Sequence, residues 1–440
     1  MNKKLYAALI SLMGFALTIH ADTIKLNGLT FTTGSDTAVV KSYSEIPEDG
    51  KLTIPSEIKS EDKAYRVTAI KNSAFITCTE LKELTIGKEL KYIENYAFSN
   101  CINLKKVTLE QGDDILYIDK ESFEKCPIEE IEMGRYLSNH YMTYNLKTLK
   151  KVTLSDNIKI ISASLFCNSS IEEIDLSNIE KICEFAFGNC LQLQNVDIKN
   201  VIELEKYAFS GSGLQKITIP NCTEKIAQFA FCSCYNLSSM EILGNPIIER
   251  KAFAECHNLE SVVLSDKITS IPMNAFEKCT TLKTIDLSNI TIIESEAFSG
   301  CSSLEDVKFD SIIKIGNSAF YNTNIKNLSF GKSLSEVEWW AFMNCQNLTS
   351  VDLSSSNLLT LNSSTFSSCK KLESINFPSC LQRIEGLCFS RCKSLKQIDL
   401  SGTSVTTIPS YCFENCTELT EVHLNEATDT LLDNAFNNCS

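Results

Sequence analysis

One motif returns along this chain at a nearly fixed interval. AFSNCINLKKVTL at 97–109 comes back as AFEKCTTLKTIDL at 275–287, AFMNCQNLTSVDL at 341–353 and CFENCTELTEVHL at 412–424. Phenylalanines mark the period at 75, 98, 123, 166, 187, 209, 231, 253, 276, 298, 320, 342, 366, 389, 413 and 436. Tyr144 divides the one long gap, between 123 and 166, and is read as a degenerate unit with Tyr in the Phe slot. The mean spacing is about 22–23 residues, and a period in the twenties means a solenoid of stacked coils. A repeat array also removes the usual inference that 440 residues make two or three domains.

Each unit carries a Leu and then an apolar-x-apolar triplet, as in Leu104 with Val107 and Leu109, or Leu282 with Ile285 and Leu287. Alternation of period 2 predicts a short strand with one face inside. Adjacent strands should stack about 4.8 Å apart as a parallel sheet. The segment that returns to the next Phe holds another apolar pair, such as Leu90 and Ile93. Ala before the Phe lets coils approach, and the ring fills the coil interior.

The pattern L-x-x-I-x-L followed by A-F-x-x-C resembles the BspA-like leucine-rich repeats of bacterial surface and secreted proteins. The likeness spans about residues 67–440 in 17 units, the last incomplete at NNCS. It implies a leucine-rich repeat solenoid of α/β type. Its curved parallel sheet would carry short strands on the concave face, with irregular or short helical return segments. It also implies adhesion to host matrix proteins or coaggregation between microbes. Residues 22–66 carry period-2 runs broken by Gly, Asp and Pro, which read as β-hairpins capping the first coil.

The N-terminus, MNKKLYAALISLMGFALTIHAD, has a basic start, an apolar run and a small residue at Ala21. Residues 1–21 are therefore expected to be a signal peptide, making the protein secreted or cell-surface. No later stretch holds about 18 consecutive apolar residues, so membrane insertion is not expected. The net charge of −14 argues against nucleic acid.

Thirteen of the 20 cysteines lie three residues after a Phe: Cys78, Cys101, Cys126, Cys190, Cys234, Cys256, Cys279, Cys301, Cys345, Cys369, Cys392, Cys416 and Cys439. One Cys per coil at one depth reads as a packing ladder, with occasional disulfides or a metal as alternatives. Three units, LFCNSSIEEIDL, AFSGSGLQKITI and AFYNTNIKNLSF, lack this Cys and are one residue shorter in that turn. No G-x-S-x-G, HExxH, P-loop or dinucleotide fingerprint occurs, so neither an enzyme nor a cofactor is expected.

Three sets of residues are candidates for binding. The middle residue of each strand points outward, and this row includes Glu132, Asp175, Asp197, Glu241, Asp286, Asp352 and Asp399. It reads either as a solvated polar face or as a concave surface for a basic protein ligand or divalent cations. Asp175 and Asp197 are expected on neighbouring strands, about 5 Å apart. A second stripe lies two residues before the Phe: Tyr96, Phe185, Tyr207, Phe229, Trp340 and Tyr411, with Trp339 adjoining. It reads as packing between coils, or as aromatic contacts for a glycan, led by Trp339 and Trp340. The third is GRYLSNHYMTYNLKT at 134–148, which breaks the consensus and contains Tyr136, His140 and Tyr141. The expected function is a non-catalytic extracellular scaffold binding a host or microbial protein, with a glycan-binding module as the alternative.

Overall fold

The computed structural model describes residues 22–138, 142–143 and 146–439. The expected signal peptide, His140, Tyr141 and Tyr144 lie outside the described residues. The chain divides into two compact units, Met1–Met142 and Thr143–Ser440.

In the first unit, β1 (Thr23–Leu26), β2 (Leu29–Thr33) and β3 (Thr37–Tyr43) form an antiparallel meander. Asn27 and Gly28 make the two-residue turn between β1 and β2, at φ 48° and 77°. Positive φ at both positions is what an Asn-Gly hairpin supplies at least cost. β5 (Glu57–Ser60) and β6 (Lys63–Ile70) form a second hairpin. From here pairing turns parallel. β4 (Lys51–Ile54), β7 (Glu83–Ile86), β9 (Lys106–Leu109) and β11 (Glu130–Met133) stack in register on one side. β6 continues into β8 (Tyr92–Ile93) and β10 (Tyr117–Ile118) on another. The inward residues Leu52, Leu84, Val107 and Ile131 are buried, while Thr53, Thr85, Thr108 and Glu132 face out.

The third side of each coil holds the Phe. Phe75, Phe98 and Phe123 stack with centroids 4.9 and 5.1 Å apart, and Tyr43 closes the stack 5.4 Å from Phe75. The cap thus ends an aromatic column that would otherwise present a bare ring face to water.

One side chain in this unit has no counterpart in the repeat. Arg135 is fully buried. Its guanidinium donates to the carbonyls of Gly87 (3.0 Å), Lys88 (2.8 Å) and Leu90 (2.7 Å), while Nε has no partner. Burial pushes its pKa down to about 10, so it remains charged at neutral pH. Gly134, just before it, lies where a Cβ would sit 2.4 Å from the Leu109 carbonyl, so only glycine lets the chain approach that closely.

The second unit repeats the same three sides. Strands such as Lys216–Ile219, Ser239–Ile242 and Ser261–Leu264 pair in parallel on one side. Two-residue strands such as Lys181–Ile182, Glu203–Leu204 and Lys225–Ile226 pair on the next. Phe166 to Phe436 form one continuous stack of parallel rings, with neighbouring centroids 5.1–5.8 Å apart.

The return segments are irregular, and no α-helix occurs among the described residues, so the short helices entertained from the sequence are not formed. The reason is local. The residues two before and two after the Phe recur in the left-handed region, as at Lys251 and Glu255, or Trp340 and Asn344. Such positions end a right-handed helix before one turn is complete. The cost is offset by bonds between coils: the Phe187, Phe209 and Phe231 amides each donate to the carbonyl of the next coil's Ala at 2.8 Å. Asn relieves strain at the second position and adds ladders, Asn189 to Asn168 at 3.0 Å and Asn344 to Asn322 at 2.7 Å.

Candidate functional site

The outward row on the strand side resolves into two kinds of carboxylate. In the first unit, Glu132 receives the Lys106 ammonium at 2.6 Å and the Thr108 hydroxyl at 3.1 Å. In the second unit, five Asp fold back on their own backbone. Asp175 accepts the Ser177 amide (2.8 Å), Asp197 that of Lys199 (3.1 Å) and Asp286 that of Ser288 (3.0 Å). Asp352 accepts from Ser354 (3.0 Å) and Asp399 from Ser401 (2.9 Å). These are Asx turns, in which a carboxylate satisfies the amide two residues on. Hydrogen bonds from Ser177, Ser288, Ser354 and Ser401 hold Asp175, Asp286, Asp352 and Asp399 below the usual carboxylate range. Except at Asp197, each turn also anchors where the chain leaves the strand. The sequence signal was Asp-Leu-Ser at four of the five, with Asp-Ile-Lys at Asp197, which the reading of an acidic stripe overlooked. Glu241 stands half-buried on its strand, paired by register with Thr218 and Val263.

The expected juxtaposition of Asp175 with Asp197 on paired strands is not formed. Residues 193–198, LQNVDI, match the repeat but make no strand pairing. The ladder therefore stops at Glu173–Ile174 and resumes at Lys216–Ile219, skipping a whole coil, whereas its later breaks after Leu264, Val307 and Asn376 fall between strands of consecutive coils. An open groove of about 770 Å³ lies at the interruption, lined by Lys151, Thr153, Glu172, Glu173, Asp175, Gln192, Gln194 and Asn195 among others. Val196, whose counterparts Val152 and Ile217 are buried, is partly exposed.

The Phe+3 cysteines form a hydrogen-bonded column. After Cys78, which meets the Glu80 carboxylate, each thiol donates to the carbonyl of the preceding coil's Phe, as from Cys101 to Phe75 (3.2 Å), Cys234 to Phe209 (3.1 Å) and Cys301 to Phe276 (3.1 Å). The units that lack the Cys place Ser169, Ser212 and Thr323 there, buried and 3.2–3.4 Å from the next coil's sulfur. The slot thus selects a small side chain with a donor. Burial pushes the thiols of Cys190, Cys301 and Cys416 up to about 12, which disfavours the thiolate needed for nucleophilic attack or metal binding. Among the described residues no cluster of three or more His, Cys, Asp or Glu is arranged for a metal.

A sequence model described as the BspA type leucine-rich repeat region matches residues 68–179, 159–247, 224–349 and 340–440. The chain belongs to the BspA-type leucine-rich repeat family. Its structure is similar to a leucine-rich repeat protein from Bacteroides ovatus, at 20% identity over 93% of this chain and 90% of that one, TM-score 0.46. It is also similar to one from Eubacterium ventriosum, at 15% identity over 95% of both chains, TM-score 0.42. A leucine rich cell surface protein from Faecalibacterium prausnitzii matches at 20% identity over 92% of this chain and 94% of that one, TM-score 0.33. No curated protein matches the sequence. BspA-type repeats are scaffolds, generally without catalysis, and solenoids of this kind offer extended surfaces to partners. Among the described residues no helix is long and apolar enough to cross a membrane.

The aromatic stripe of this BspA-type chain runs along the turn side. Phe185, Tyr207 and Phe229 stack face to face at 4.4 and 4.7 Å, so packing between coils explains them. Trp340 occupies the same position but has Ser318 and Ser364 on the adjoining coils. It makes no ring contact among the described residues and is 46% exposed; Trp339 is 52% exposed. Tyr136 is half-buried, and its carbonyl accepts the Leu116 amide at 3.0 Å.

Proposed function

We propose that this BspA-type chain is a non-catalytic, exported binding scaffold that engages a protein on a host matrix, a host cell or another microbe. The reading places contact on the strand side of the second unit, centred on the groove where the ladder is interrupted. That groove is the observation that carries it. Over most of this side the carboxylates are spent on their own turns, as Asp175 is here too, but at the groove Gln192, Gln194 and Asn195 lie outside strand pairing and stand beside Glu172 and Glu173. Three carboxylates face one ammonium, Lys151, so a Lys or Arg of the partner is the complementary group.

The test uses purified residues 22–440 on an array of host matrix proteins and bacterial surfaces, at low and high salt. Salt-sensitive binding to a protein, weakened about tenfold or more by Glu172→Lys with Gln194→Lys, is the expected result. Full binding by that double variant would remove the site, and turnover of a substrate would overturn the scaffold reading.

A further inference from the structure

The turn side of the second unit carries a groove that neither the repeat nor the strand-side reading accounts for. It encloses about 700 Å³ beside Trp340, and Ser364, Ser367, Ser390, Arg391 and Glu414 are among its lining residues. Its origin is compositional. On most coils the position two before the Phe is filled by a ring or a long side chain. Here Trp340 stands between two serines, and the position one after the Phe is Ser again at Ser367 and Ser390. Those serines are nearly buried and form a hydroxyl-bearing floor.

The ring is held outward at a cost. Trp340 has φ 59°, a region where a bulky residue is disfavoured and where both adjoining coils place Ser. The stack of Phe185, Tyr207 and Phe229 offsets that cost by ring contact, and Trp340 has no such return. The groups around it are mixed in kind. The Arg391 guanidinium is exposed and makes no ion pair among the described residues. Glu414 accepts the Ser390 hydroxyl at 3.2 Å, leaving its other oxygen as an acceptor. The second carboxylate of the rim is Glu296.

We propose that this groove binds a neutral oligosaccharide, with one pyranose ring lying on Trp340 and its hydroxyls bonded to Arg391, Glu414 and the serine floor. A sugar ring has a C–H face that packs on an indole and a rim of hydroxyls that both donate and accept. A flat ring beside paired donors and acceptors matches both. The rim carries two carboxylates against one guanidinium, which disfavours an acidic sugar or a phosphate. The groove is open, with Tyr321, Met343 and Leu387 adding apolar surface beside the serines, whereas an apolar peptide anchor requires a deep desolvated pocket. The site lies on the turn side, so its failure leaves the strand-side reading untouched.

The chain has two tryptophans, Trp339 and Trp340, so intrinsic fluorescence reports on this region. The experiment titrates the full chain with neutral oligomers of glucose, mannose, xylose and N-acetylglucosamine. Acidic oligosaccharides serve as the comparison. Trp339→Phe isolates the Trp340 emission. The expected result is a saturable change with at least one neutral class. Affinity should fall about tenfold or more in Trp340→Ala, recover in part in Trp340→Tyr, and fall severalfold in Arg391→Ala. Circular dichroism confirms that each variant is folded. Response to none of the neutral oligomers, tightest response to an acidic one, or undiminished binding in folded Trp340→Ala would each overturn the proposal.

Discussion

Both units use the thiol column, as from Cys101 to Phe75 in the first, but the first adds a second device of the opposite kind. Stacked coils leave backbone carbonyls inside, and buried carbonyls must be hydrogen-bonded. In the second unit the task is spread out: most Phe carbonyls take a thiol from the next coil, one small donor at a time, while the coils after Phe187 and Phe298 place Ser212 and Thr323 in that slot. In the first unit a single guanidinium, on Arg135, serves three carbonyls of a coil more than forty residues earlier. A distributed device tolerates the loss of one member, and a concentrated one does not. The first unit departs from the period there: the segment from Leu109 to Tyr117 is longer than that from Ile86 to Tyr92. The arginine bridges the irregularity.

Substitution should separate the two designs. Arg135→Met leaves the Lys88 and Leu90 carbonyls without that donor and Gly87 with the Leu90 amide alone, at a cost of roughly 2–5 kcal/mol. Hydrogen exchange should accelerate across the coils that hold Gly87–Leu90, with the second unit little changed. Cys256→Ala removes one thiol and leaves a small void, and should cost about 1–2 kcal/mol in a denaturant titration. Equal losses for these two variants would end the contrast between concentrated and distributed bonding.

Acid should act next, and mainly on the second unit. Asp175, Asp286, Asp352 and Asp399 have pKa values lowered from the ordinary 3.8 by their Asx-turn bonds. A depressed carboxylate contributes stability that is present above 3.8 and lost as pH falls through the lowered value. Melting temperature should therefore begin to drop near about pH 4 and go on dropping as pH falls through the lowered values. Asp286→Asn keeps an acceptor for Ser288 and should flatten that drop; an unchanged slope would remove the turn from the acid response. The smallest effect, about 1 kcal/mol or less, is expected for Cys256→Ser, because Ser169 and Ser212 already occupy that column and donors are preserved. A larger loss would mean that the longer turn demands the bulk of sulfur.

What the sequence by itself determined is everything that repeats. The coil period, the apolar triplets, the Phe stack and the depth of the Cys column are local patterns recurring often enough to be read from residue type and spacing. The N-terminal Asn-Gly turn belongs with them, because its geometry is set by two adjacent residues. Only the tertiary structure decided the exceptions. Arg135 reads as a spacer until its partners, 45–48 residues away, are brought to it. LQNVDI fits the strand consensus, yet its backbone leaves the ladder and opens a groove. Tyr207 and Trp340 hold equivalent positions in their repeats; one is packed and the other bare because of side chains on adjacent coils. A period fixes what each residue can reach within its own coil. What it meets depends on residues a full turn away, and in a solenoid those contacts separate a packing position from a surface free to bind.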